Sequence, residues 1–396
     1  MLVNNKFHLS YCTNVHPGEN WDLTFKSLKE YVPGIKNRLT KEKFGLGLRL
    51  SNKASEELGT GEVLQSFKNW LDENDIYVFT MNGFPYGNFH NERVKDLVHA
   101  PDWTTDERVI YTKRLADQLA ILLPAGLDGG ISTSPISYRH WHSSADKLRD
   151  AFMKGAENLS QLIVHLHDIE ERTGKYIHLD IEPEPDGMLE NSDEFLQFFS
   201  DYLLPIATDH LKQELGSDSR KAKELIYRYI TICYDVCHFS LAYEEPKETL
   251  QKLAENGIKV GKIQVSSALK ILFNESDNRE IWDTLEKFNE PVYLHQVTQL
   301  IDGNVKTFND LPDILDKKAD FKELRAHFHV PLFLEKYGAL YSTQDHILKV
   351  IAYLKDHVVT NHLEVETYTW DVLPPELKTD LGESITRELE WLTKKL

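Results

Sequence analysis

The chain has 396 residues, 41% of them hydrophobic and 11% aromatic, which supplies a large core and excludes a disordered or collagen-like chain. Asp and Glu outnumber Lys and Arg by 63 to 45, giving a formal net charge of −18 with no dense basic run, so nucleic acid and anionic membranes are disfavoured as partners. No apolar stretch reaches the ~18–20 residues that span a bilayer, the opening MLVNNKFHLSYCTN lacks an apolar signal core, and Cys12, Cys233 and Cys237 form no even disulfide framework, so the expected location is the cytoplasm.

Along the chain, short β-branched or aromatic runs alternate with longer amphipathic stretches. Strands are predicted at Phe7–Thr13, Phe44–Leu50, Ile76–Met81, Gly130–Thr133, Ile177–Glu182, Tyr229–Tyr234, Gly261–Ser266 and Leu363–Thr367. Between them lie helical patterns such as Glu62–Asn74, Thr105–Leu123 and Ser144–Thr173, the last with apolar residues at Leu148, Phe152, Leu159, Leu162, Ile163 and Leu166. Alternation of this kind predicts parallel strands joined by crossover helices. Neither GxGxxG after an early strand nor GxxxxGK[ST] occurs, which removes the signatures of an open nucleotide-binding sheet and favours a closed (β/α)8 TIM barrel. The expectation is one barrel domain over residues 1–396. PVYLHQVT (Pro291–Thr298) and Lys306–Phe308 flank an Asp302-Gly303-Asn304 turn, which reads as a β-hairpin inserted at 290–334 between the seventh and eighth strands.

Four of the later segments end in side chains that can hold a metal. IHLDIEPEPDG carries Asp180, Glu182 and Glu184; YITICYDVCHF carries Asp235 and His238; LRAHFHV carries His327 and His329; LEVETYTW carries Glu364 and Glu366. Alternation puts Asp180 with Glu182, and Glu364 with Glu366, on one strand face each. Carboxylates gathered at one barrel mouth repel unless protons or a cation neutralise them, and mixed oxygen and imidazole ligands suit Mn, Mg, Fe or Zn. Taken singly, Asp235 or Glu184 also fits a helix cap and each histidine a structural hydrogen bond. Recurrence at several strand ends is what favours a metal.

Other residues fit a substrate-binding role: His16 with Asn14 after the first strand, His90 in NGFPYGNFH after the third, Arg139 and His140 in ISTSPISYRHWH after the fourth, and Trp370 as a stacking surface. A surface histidine on a Gly/Pro turn accounts equally well for His90. Cys12 has no base at a fixed spacing, and Cys233 and Cys237 have no second pair to make a zinc ribbon.

These strand-end motifs resemble the xylose-isomerase-like TIM barrels, which include sugar isomerases, ketose epimerases and endonuclease IV-type repair enzymes. The resemblance implies that Glu182 is a metal-bridging acid, that Asp235-x-x-His238 is a ligand pair, that His327-x-His329 stands for the D-x-D or D-x-H pair, and that Glu366 closes the set. One departure is Gln264 in KIQVSSAL, where the family usually offers a His or Asp ligand; a neutral glutamine implies a weaker site or a substrate contact. The combination YCTNVHPGENW, GLGLRLS, FTMNGFPYGNFH, PDWTTDERVIYT, GISTSPISYR and LDIEPEPDG is similar to the bacterial EboE-type "metabolite traffic" proteins, which are associated with clusters handling a secondary metabolite. That likeness implies a small-molecule partner and further partners encoded in the same gene cluster.

The leading expectation is a metal-dependent isomerase or epimerase of a small polyhydroxylated or carbonyl metabolite, with Glu182 and Glu366 catalytic and Glu182, Asp235, His238, His327, His329 and Glu366 holding Mn, Zn, Fe or Mg. A carrier that binds the metabolite without converting it is the alternative, favoured by Gln264 and the traffic family. Phosphodiester hydrolysis in DNA shares the D-x-x-H motif but conflicts with the −18 charge.

Overall fold

A run of four to seven mostly buried residues with apolar side chains at alternate positions is long enough to cross a small barrel and too short for a helix. Eight such runs form the parallel strands of the computed structural model, which describes residues 1–87, 94–275, 277–368 and 380–396. Numbered along the barrel, they are β1 Phe7–Tyr11, β2 Phe44–Arg49, β3 Ile76–Asn82, β4 Gly129–Thr133, β5 Ile177–Ile181, β6 Ile230–Asp235, β7 Val260–Val265 and β8 His362–Val365. They pair in the order β1-β8-β7-β6-β5-β4-β3-β2, and a parallel bridge between Cys12 and Gly47 spans the remaining seam. A two-residue strand, Leu2–Val3, adds antiparallel to β1.

Helices cover the outer face and bury Leu179, Ile181, Ile232, Ile263, Leu363 and Val365. Their limits follow from capping. Asn20 accepts from the Leu23 amide to start helix Trp21–Leu39, and Ser144 caps the 29-residue helix Ala145–Thr173, which ends at Gly174 with φ of 67°. Among the described residues no helix is long and apolar enough to cross a membrane.

The barrel interior is polar where TIM barrels usually stack branched apolar side chains. His178, Asp180, Thr231, Lys262, Gln264 and Glu364 are all buried there. Lys262 Nζ donates to Glu364 Oε2 at 2.5 Å, with neither side chain exposed. Glu364 lies so close to β2 that a Cβ on Gly47 would sit 1.7 Å from its Oε1, so only glycine fits beside it.

The interval between β7 and β8 is larger than the expected hairpin at 290–334. The Asp302-Gly303 turn does join Val297–Ile301 to Asn304–Phe308, with both turn residues at positive φ (49° and 80°). That hairpin is one edge of a six-stranded antiparallel sheet that also contains Glu323–Ala326, Leu269–Leu272, Leu340–Ser342 and Lys336–Tyr337. The excursion therefore opens at Leu269 and closes at Ser342. Its central strands are short, and Leu269–Leu272 pairs with Glu323–Ala326 and Leu340–Ser342 from far along the chain, which leaves no local periodicity to mark them.

Helix Leu381–Lys395 closes the barrel's outer layer and sends Glu388 inward, where one oxygen accepts from the Thr367 hydroxyl (2.7 Å) and the Leu332 amide (3.0 Å).

Two stability predictions follow from these buried charges. Glu364→Gln strands the Lys262 ammonium and is expected to cost roughly 3–5 kcal/mol in denaturant unfolding, most of it restored by adding Lys262→Met. Burial pushes the Glu388 carboxyl up to about 7, against the two donors that favour its anion. Because its folded value lies above its ordinary one, the protonated group's stabilisation is full below about pH 4.5 and is lost as pH rises through 7. Glu388→Gln keeps an acceptor oxygen for both donors, so the variant's melting temperature is expected to hold steady from pH 5 to 8 while the wild type falls.

Candidate metal centre

Inward-facing positions of β5, β6 and β8 continue past the strand ends and bring Glu182, Asp235 and Glu366 together at the carboxyl mouth. A ligand atom from each lies within 4.8 Å of the others, and all three residues are buried. Asn14 and Asn82 both donate to Glu366 Oε1, at 2.8 and 2.9 Å, which fixes its carboxylate. Asp235 is indeed a helix cap: its Oδ1 accepts from the His238 amide (3.0 Å) and the Ser266 hydroxyl (2.7 Å). The cap occupies one oxygen only. Neither Asp235 Oδ2 nor Glu182 Oε2 finds a hydrogen-bond donor among the described residues.

Three imidazoles stand beside this trio. His238 Nδ1 faces the Pro183 carbonyl (3.0 Å), His329 Nδ1 the Glu366 carbonyl (3.1 Å) and His327 Nδ1 the Gln296 Oε1 (2.8 Å). The Gln296 amide is oriented by its own Nε2, which donates to the Pro185 carbonyl at 3.1 Å. Each Nδ1 thus faces an acceptor and must carry the proton in the neutral ring, leaving each Nε2 with a lone pair. These three Nε2 atoms converge, with His238 at 3.0 Å from His327 and 3.4 Å from His329. Lone pairs at that separation cannot hydrogen-bond one another unless a proton or a metal cation lies between them. The donors therefore fit a metal: three imidazoles suit zinc or iron, and the adjoining carboxylates suit magnesium or manganese. Asp235 belongs to both clusters, with ligand atoms close to Glu182 and Glu366 on one side and to His238 and His329 on the other.

The electrostatics match this geometry. Burial, then the neighbouring Glu366 and Asp235, hold the Glu182 carboxyl well above its usual range; burial and Asp235 do the same to Glu366. Burial also acts on Asp235, but His238, His329 and its two donors outweigh it and leave that group below its ordinary value. Burial and the neighbouring imidazoles keep His327 well below the normal histidine value, and burial lowers His329 to about 4. Both rings are neutral at pH 7 and ready to ligate.

The six residues expected to ligate metal are thus gathered in one place. Five of them, all but Asp235, form the floor of a cleft whose walls include Phe84, Val98, Tyr293 and Leu294. Of the residues expected to bind substrate, Asn14 lines it, whereas His16, Arg139, His140 and Gln264 do not. His16 hydrogen-bonds Tyr11 at 2.9 Å and stacks on Tyr31. Arg139 forks onto both oxygens of Glu194 at 2.8 and 2.6 Å, and His140 pairs with Asp186 at 2.9 Å. Gln264 lies inside the barrel and accepts from the Cys233 thiol at 2.9 Å, below the ligands. His90 and Trp370 lie outside the described residues. Asn82, which opens the NGFPYGNFH segment, also lines the cleft, as do His99, Gln296, Tyr293 and Tyr368, to which the sequence assigned no role. His99 sits 2.9 Å from Glu184, a contact made across 85 residues of chain.

Neither a protein-family model nor a curated protein matches the chain. Solved structures do. A D-tagatose 3-epimerase-like protein is 10% identical over 98% of this chain and 96% of its own, with a TM-score of 0.50. A xylose isomerase domain protein from Planctomyces limnophilus is 16% identical over 98% and 97%, also at 0.50. D-allulose 3-epimerase from Methylomonas sp. is 10% identical over the full length of both, again at 0.50. Identity this low speaks to architecture and not to reaction. The fold is a xylose-isomerase-like TIM barrel.

Protein purified without chelator is expected to carry divalent metal by elemental analysis. Asp235→Ala, which removes the ligand common to both clusters, is expected to lose most of it; a wild type that retains and binds no cation would refute the assignment.

Proposed function

We propose that this protein is a metal-dependent enzyme that moves a proton between neighbouring carbons of a small hydroxylated carbonyl compound, an isomerase or epimerase. The observation that carries the reading is the convergence of three imidazole Nε2 atoms beside three buried carboxylates on the floor of one cleft. A divalent cation bound there supplies Lewis-acid polarisation of a carbonyl and its neighbouring hydroxyl.

The chain's own residues supply the rest. Asn14 and Asn82 orient Glu366 so that its second oxygen faces the cleft. Glu182 has an oxygen without a donor and an elevated affinity for protons, the properties of a group that accepts a proton from carbon and returns it. Gln296, Pro183 and the Glu366 carbonyl hold the imidazoles in the ligating tautomer. The likeness to EboE-type proteins supports a role in handling a secondary metabolite, alongside proteins of the same cluster.

The test is deuterium wash-in. Metal-loaded protein incubated with ketoses and cyclitol ketones in D2O is expected to exchange the hydrogen beside the carbonyl, as followed by NMR. Glu182→Gln is expected to slow that exchange about 100-fold or more. Full exchange by Glu182→Gln, or tight binding with no exchange by the wild type, would sink the enzymatic reading, and the second outcome would make the protein a metabolite carrier.

A further inference from the structure

Resting on the reading of this cleft as a metal-dependent active site, the geometry points to a neutral, two-ended substrate: adjacent oxygen atoms at one end and an apolar body at the other. The ligand floor, built by Glu182, His238 and His329 among others, is matched by a wall of a different kind. Phe84, Pro85, Val98, Tyr293 and Leu294 form the wall, drawn from the segments after β3 and from the excursion between β7 and β8. The two rings are anchored. The Phe84 amide donates to Asn82 Oδ1 at 3.1 Å and its ring meets His99 edge-on at 5.4 Å, while Tyr293 packs edge-on against Tyr368 at 5.4 Å.

The Tyr293 hydroxyl apart, the side chains of this wall offer no partner to a hydroxyl brought against them, so a molecule hydroxylated along its whole length loses water contacts there with little replacement. A hydrocarbon segment gains instead, by about fourfold in affinity for each methylene removed from water. Charge narrows the class further. Lys95 is the one Lys or Arg among the described lining residues, and its ammonium is paired with Asp310, whereas Glu182, Glu184 and Glu366 all face the cleft. A phosphate or carboxylate tail would meet these acids with no unpaired Lys or Arg among the described lining residues to receive it.

Hydroxamic acids test this directly, because one chelating head can carry different tails. Calorimetry on the zinc-loaded full chain compares acetohydroxamic acid, hexanohydroxamic acid and the monohydroxamate of glutaric acid. The hexano compound is expected to bind at least about 30-fold more tightly than acetohydroxamate, and the anionic glutaric compound more weakly than the hexano one. Phe84→Ser combined with Leu294→Ser is expected to erase most of the hexano tail's advantage over acetohydroxamate. Equal affinity for all tails, preference for the anionic tail, or an advantage that survives the double variant would each overturn this inference alone. Failure of the protein to hold zinc, or of acetohydroxamate to bind the zinc-loaded chain, would overturn it together with the enzymatic reading.

Discussion

Buried charge without enough internal compensation is the constraint on which this structure depends. Eight strands point their inward side chains at a common axis, and at the carboxyl end those side chains include Glu182, Asp235 and Glu366 with three imidazoles beside them. They are largely buried from bulk water, so each is neutralised by a proton, a partner or a metal. Lower in the barrel the same problem is met by protein partners: Lys262 with Glu364, and His178 with Asp180. At the mouth the described protein supplies no cationic Lys or Arg to the cluster. The cluster is therefore an arrangement of donors that could hold a cation.

The excursion between β7 and β8 is what turns a barrel mouth into a closed site. Strand Glu323–Ala326 leads directly into His327 and His329, and its sheet partner Val297–Ile301 begins just after Gln296, which orients His327. Tyr293 and Leu294 come from the same excursion and form part of the apolar wall. One inserted sheet thus contributes two ligands, a tautomer lock and the surface opposite the ligands. On the far side, Glu388 ties the C-terminal helix to Thr367, one residue beyond Glu366, and to Leu332, three beyond His329.

Ligand residues were legible because a carboxylate or imidazole at the end of a predicted strand carries its meaning locally. Period-two alternation shows which face it occupies, and the barrel brings strand ends together. The substrate-facing residues were not legible in the same way. Arg139, His140 and His16 have donor chemistry that fits a substrate, yet each meets a protein partner, Glu194, Asp186 or Tyr11, at hydrogen-bond distance. Gln264 occupies a strand position suited to a ligand but lies one layer too deep, against Cys233. Pairings of this kind join segments far apart in the chain and leave no periodic trace.

By itself the sequence determined the alternation of strands and helices, the absence of a phosphate cradle, the parallel barrel and the identity of the strand-end acids and histidines. All of these depend on local pattern: hydrophobic period, capping residues and chemistry placed at a strand's end. Tertiary structure alone decided that three Nε2 lone pairs meet within 3.4 Å of the His238 ring nitrogen, that the inserted sheet runs from Leu269 to Ser342, and that the wall facing the ligands is apolar. Those features arise from contacts across tens to hundreds of residues, where the energy lies in packing and in shared burial and not in any segment's own preference.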